Sequence, residues 1–300
     1  MKKYVLLLII ASVTLPVMAQ WPIYYPVQNQ RDQHELSVYG IFGSAALWGR
    51  YTGNISGSEN SFDKLSGGGG VGYTFFFHPQ WGITTGAEVF PFSAIVQAQK
   101  IVESSSGTYS YGGDTEPLYF NSVLADYEET QRATYIHIPL LLQFQTEGYH
   151  KFYVTAGAKV GFAISGNYEA AATSLTTSGH FPESAQTFTG MSHRGFISVP
   201  KPVWTGTLDF GLNVSLSVEA GTRWATGAHT AFYTGFYLDC GLLNVVPEKT
   251  AGLVHYQPDK PGELIYNSIL AAREPATGTV YVEKLNLFSM GIKMRLTFGW

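Results

Sequence analysis

The chain has 300 residues, of which 13% are charged and 15% aromatic, with 33 glycines, a formal charge of −4 and a mean hydropathy of +0.02. An ordinary soluble domain carries about 25% charged residues, a disordered chain is charge-rich and aromatic-poor, and a nucleic-acid binder clusters Lys and Arg. None of these fits, so no nucleic-acid partner is expected. Neutral hydropathy also excludes a bundle of membrane helices and points to apolar residues alternating with small polar ones.

The first elements are not part of the fold. Met1-Lys2-Lys3 is basic, Val5 to Val17 is apolar, and Val17-Met18-Ala19 precedes Gln20 with residues that suit a cleavage site. This pattern predicts a secretory signal peptide over 1–19. The apolar run is shorter than the roughly 20 residues a spanning helix needs. Residues 20–33 then form a short N-terminal segment on the periplasmic side, and 34–300 form the folded domain. Cys240 is the one cysteine, so this exported fold is expected to hold without an intrachain disulfide.

From residue 35 onward the dominant signal has period two, as in strands with one apolar and one polar face. Leu36, Val38 and Phe42 alternate with Glu35, Ser37 and Tyr39. Val71 to Phe77 and Ile83 to Val89 repeat the pattern across a short turn at His78–Trp81. Ile136 to Phe144 and Val154 to Phe162 form a second pair, joined by Thr146 to Lys151. Thr207 to Trp224 reads as one long strand, and Phe232 to Cys240 follows after Ala225 to Thr230. Phe288 to Trp300 is the last. That makes eight strands. Between them the connections alternate, the long ones being Ser44–Gly67, Phe92–Gln131, Ser165–Val203 and Leu243–Leu285. An all-β, eight-stranded antiparallel transmembrane β-barrel with short periplasmic turns and four long extracellular loops is predicted. Its surroundings would be outer-membrane lipid. Pro139 cannot donate to a ladder, so a bulge is expected there. Aromatics near strand ends (Trp81, Phe152, Tyr153, Trp224, Phe232, Trp300) suit interfacial girdles.

The polar faces bring a set of charges inward. The acids are Glu35, Glu88, Asp209, Glu219 and Asp239; the bases are Lys159, Arg223, Lys293 and Arg295; His137 joins them. Eight strands leave an interior that side chains fill, so these charges are desolvated and must pair. Glu35, Lys293, Arg295, Glu219 and Arg223 are expected in a lower ion-pair cluster. Asp209 and Asp239 are expected higher, with Tyr237 or a loop base as donor.

Several segments resemble the outer-membrane β-barrel domain family abundant in Bacteroidota, which includes PorT-type proteins. They are Tyr135-Ile-His-Ile-Pro-Leu-Leu-Leu-Gln-Phe144, Val154-Thr-Ala-Gly-Ala-Lys-Val-Gly-Phe162, Tyr233 to Leu242 and Gly291 to Trp300. The first, with Pro inside an apolar strand, is the most specific, and the long loops lie outside the resemblance. The resemblance implies an outer-membrane location and no particular activity. The final Phe298 and Trp300 resemble the signal read by the barrel-insertion machinery, a partner during biogenesis.

Candidate chemistry is sparse. Ser66-Gly67-Gly68-Gly69-Gly70-Val71-Gly72 lacks the Lys-Ser/Thr of a phosphate loop, and small residues facing a crowded lumen account for it. His34, His78, His137, His150, His180, His193, His229 and His255 show no ligand spacing; no metal or other cofactor is expected. Ser178-Gly179-His180 and Ser192-His193 supply the residue types of a rim hydrolase without showing its geometry. In the second loop Tyr109, Tyr111, Tyr119, Phe120 and Tyr127 stand among acids and could form a contact surface for a protein or glycan partner. The alternative there is a solvated acidic loop ordered by self-packing. Three functions compete: a non-enzymatic barrel with a closed lumen and contact loops, which is preferred; a passive small-solute channel; and a rim enzyme.

Overall fold

The computed structural model describes residues 32–52, 55–57, 65–111, 114–147, 151–249, 251–256 and 263–300. The expected signal peptide, most of the 20–33 segment and His150 lie outside these residues. Eight strands carry the architecture: β1 (His34–Tyr51), β2 (Leu65–His78), β3 (Trp81–Tyr111), β4 (Asp114–Gln145), β5 (Lys151–Ala171), β6 (Asn213–Ala225), β7 (Thr230–Gly241) and β8 (Val282–Gly299). Each pairs antiparallel with the next, and β8 pairs back onto β1 from Glu35↔Gly299 to Tyr51↔Val282. The circuit has no free edge over this region, so its ladder groups pair within the protein without water, apart from a local lapse beside Pro139. At one end lie the short turns after β2, β4 and β6; at the other lie the long connections.

Outward positions are apolar and exposed: Leu36, Val38 and Phe42 on β1, Ile138, Leu140 and Leu142 on β4, Leu216 and Val218 on β6, and Met290, Met294 and Leu296 on β8. An apolar face turned away from the interior is the inverse of a soluble domain and is what lipid requires. Among the described residues no helix is long and apolar enough to cross a membrane, a finding that does not bear on strands.

Four expectations need correction. Thr207–Trp224 is not one strand. A short strand, Val203–Thr207, pairs with β5, the chain then loses regular pairing over 208–212, and β6 begins at Asn213. Leu208 and Phe210 turn inward across this break. Pro139 carries no bulge: it pairs with Lys159, the β4–β5 register shift lies at Thr134/Tyr135, and the β3–β4 ladder merely lapses opposite Pro139 before resuming in the same register. A missing N–H thus removes a rung without inserting a residue. The segment Phe92–Gln131 is not an irregular loop, because β3 and β4 continue through it as a hairpin paired up to Tyr111↔Asp114. Tyr153, finally, faces inward and is buried instead of joining a girdle.

The glycine run on β2 has a packing cause. A Cβ on Gly68 would sit 2.3 Å from the Phe90 ring, and one on Gly72 would sit 2.7 Å from Ser37 Oγ. These positions give their space to inward side chains on the neighbouring strands.

Candidate functional site

The interior of the strand circuit is filled in two layers. The lower layer is ionic. Lys159 on β5 donates to Glu88 Oε1 on β3 at 2.5 Å and to Asp239 Oδ2 on β7 at 2.9 Å. Lys293 on β8 lies 3.6 Å from both Glu88 Oε2 and Glu219 Oε2, with its Nζ 3.9 Å from the centre of the Tyr39 ring. Arg295 donates to Glu219 Oε1 and to Gln143 Oε1, each at 3.3 Å, and its guanidinium lies 4.5 Å from the Tyr233 ring centre. Arg223 reaches from β6 across β7 and β8 to Glu35 Oε1 on β1, at 3.4 Å. Such a reach is available only in a narrow interior.

Tyrosines complete the carboxylates' coordination: Tyr39 O–H donates to Glu88, Tyr153 to Glu219 at 2.6 Å and Tyr233 to Glu35 at 2.8 Å. Beneath them Thr74, Thr84, Gln143 and Gln145 form a neutral hydrogen-bonded ladder. Hydrogen bonds to every charge are the condition under which buried ions persist.

Nine of the ten expected interior groups therefore lie inside; Asp209 does not. The break at 208–212 inverts the alternation there, so Asp209 points outward and is exposed. Its loss leaves four acids (Glu35, Glu88, Glu219, Asp239) against four bases (Lys159, Arg223, Lys293, Arg295). Two expected partnerships also change. Glu35 lies opposite Gly299, four residues from Arg295, and so meets Arg223 and Tyr233 instead of the β8 bases. Asp239 takes Lys159 and Ser289 as donors instead of Tyr237. His137 is buried and stacks at 5.7 Å on Tyr135, but among the described residues its Nδ1 has no hydrogen-bond partner.

The upper layer is apolar and was not foreseen. Phe90, Phe92, Tyr135, Phe210 and Leu287 line the interior above the ions, and the fourth long segment folds into it. Leu253, Val254, Ile269 and Leu270 of that segment are buried in the same core as Val96 and Tyr127. Two carboxylates hold it there. Glu103 accepts from the backbone N–H of Leu253 and Val254 and from Tyr281 O–H. Glu129 accepts from Ser268 Oγ, the Ile269 N–H, Tyr127 O–H and Gln131 Nε2. Burial pushes both carboxyl groups above the usual carboxylate range, against the downward pull of their donors. Lys249 donates to the Leu270 carbonyl nearby, and burial lowers it to about 8.

The expected tyrosine surface is mostly dismantled by this arrangement. Phe120 and Tyr127 are buried, whereas Tyr119 is 46% exposed and stacks on His180. The side chains of Tyr109 and Tyr111 are outside the described set. Phe120 and Tyr127 are of opposite parity, yet both face inward because Asp126 adopts a left-handed φ of 48° between them. His180 Nδ1 bonds Thr187 Oγ1, not a serine. Phe298 and Trp300 are exposed on the outward face, with Trp300 stacked on His34.

Residues 28–239 match the family described as outer membrane protein beta-barrel domain. The chain belongs to this family. It is accordingly an outer-membrane protein. Solved structures similar to it include the outer membrane protein OprG from Pseudomonas aeruginosa, at 12% identity and TM-score 0.35, covering 91% of this chain and 99% of that one. The attachment invasion locus protein Ail of Yersinia pestis is similar at 8% identity and TM-score 0.28, covering 90% and 100%. The outer membrane protease OmpT from Escherichia coli follows at 6% identity and TM-score 0.30, covering 89% and 97%. No curated protein matches the chain in sequence.

Proposed function

We propose that this protein is a non-enzymatic, eight-stranded transmembrane barrel with a closed lumen. Its short turns face the periplasm and its long segments form an outer contact surface for a protein or surface ligand. The observation that carries the reading is the charge-balanced interior, four acids against four bases, each paired and set beneath an apolar cap. A solute channel needs a hydrated lumen; these paired and desolvated charges fill the interior and serve cohesion instead. The rim-enzyme reading lacks a serine–histidine hydrogen bond among the described residues. Planar-bilayer recording of refolded protein tests the proposal. No sustained conductance is expected, and porin-like steps would establish the channel reading in its place. Against the contact-surface part, crosslinked outer membranes that return the barrel without an enriched neighbour would count.

A further inference from the structure

We propose that the outward face of β4, β5 and the short strand Val203–Thr207 binds the headgroup of a phosphorylated glycolipid of the outer leaflet. The inference rests on the orientation proposed above. Three strands lie side by side here, and their outward positions form two rows. Arg132, Asn167 and Thr207 are register partners in the row nearer the apolar belt; Thr130, Glu169 and Thr205 form the next row out. These six residues line an open groove of about 410 Å³. All but Thr130 are exposed. No hydrogen bond or ion pair within the described protein engages their side chains, although a guanidinium, a carboxylate, an amide and three hydroxyls stand within two strand spacings of one another.

The order of chemistry along the wall is what selects the ligand. Just below the first row stand Thr134, Ser165 and the exposed Asp209, and beyond them the outward face is apolar and exposed at Ile164, Phe162, Ile138 and Leu212, which suits acyl chains. The one cation comes next. A guanidinium presents paired N–H donors that match phosphate oxygens bidentately. Farthest out stand the hydroxyls and Glu169, which suit the donors and acceptors of sugar hydroxyls. An amphiphile whose phosphate lies between its chains and its sugar face meets these three zones in that sequence. A free sugar phosphate would use only the upper two.

Native mass spectrometry of the detergent-solubilised full chain tests this, with a phosphorylated, acylated glucosamine disaccharide as probe. One lipid retained per barrel is expected, with Arg132→Ala weakening retention about tenfold or more. Lys100→Ala, a change to an exposed cation on the β3–β4 hairpin, should leave retention unchanged. Arg132 is exposed and unpartnered, so its variant should keep the heat-dependent gel mobility of the parent. Equal retention by Arg132→Ala, or equal retention of the dephosphorylated lipid, would overturn the proposal. Full displacement by water-soluble glucosamine 1-phosphate at equal concentration would overturn the lipid assignment and make the ligand a soluble one. Conductance, the readout for the closed lumen, does not enter any of these outcomes.

Discussion

At the scale of single residues, the interior rewards a charge only where its partners are in place. Arg295 is 3% exposed and joins Glu219 to Gln143 beneath two tyrosine rings. Arg295→Ala would leave Glu219 buried beside Lys293 and Tyr153 alone, a loss of about 3–5 kcal/mol, read from urea unfolding of the refolded barrel. Asp209→Ala, by contrast, should stay within about 0.5 kcal/mol because the side chain is exposed and outside the network. A large effect there would mean that Asp209 turns inward after all. Glu103 and Glu129 make a different prediction. Their pKa values are raised where the fourth long segment is docked, so docking takes up protons. Docking is then strongest at acid pH and weakens as pH rises through the raised values. Lys249, lowered to about 8, acts in the opposite sense only above that pH. Amide exchange at Leu253, Val254 and Ile269, corrected for intrinsic rates, should lose protection as pH is raised from the acid side through the carboxyls' raised values. Greater protection at the higher pH would reverse the sign and show that the donors, not burial, dominate both carboxyls.

At the scale of elements, strands close because small residues stand where large ones need room. Gly68→Val would drive its side chain into the Phe90 ring and the Val89 carbonyl, since even a Cβ would lie 2.3 Å from each. Overpacking of this kind costs about 1–3 kcal/mol and should slow refolding into micelles. The same change at Gly107, whose Cβ would meet nothing, should refold like the parent. These pairings explain what was legible in the sequence. Alternation reports which face a side chain takes, and it placed Glu88, Lys159, Glu219 and Lys293 inside because their strands run unbroken. It failed at Asp209 because a parity count cannot see the break at 208–212, which exchanges the two faces, and it was silent on Tyr127, which lay in an expected loop and faces inward past the left-handed Asp126. The hairpin beyond Phe92 was hidden because its polar, serine-rich strands face water and lack the apolar stripe that lipid imposes. Glu103 and Glu129 were counted as loop acids because their partners are backbone N–H groups 140 or more residues away, and such pairs leave no local signal.

At the scale of the whole molecule, the interior holds two seals in series, and they rest on different forces. The lower one is ionic and built entirely from strand residues. The upper one is apolar and depends on a segment returning from outside the strand circuit, held by Glu103 and Glu129. Their independence is testable by removing the pins together. Glu103→Ala with Glu129→Ala would leave five donors of the docked segment without acceptors, each costing about 1–3 kcal/mol if it stays buried. The cheaper response is for the segment to swing out into water, where those donors are satisfied. Protease should then cut within residues 251–281 in the double variant and spare the parent. Conductance should nevertheless stay absent, because none of the eight lower charges contacts either pin. The circuit itself should still resist unfolding, since no edge has been opened. Sustained current from the double variant would mean that the cap alone closes the lumen and that the ion-pair layer is permeable; a protease-resistant cap would mean that apolar burial, not the carboxylates, holds it.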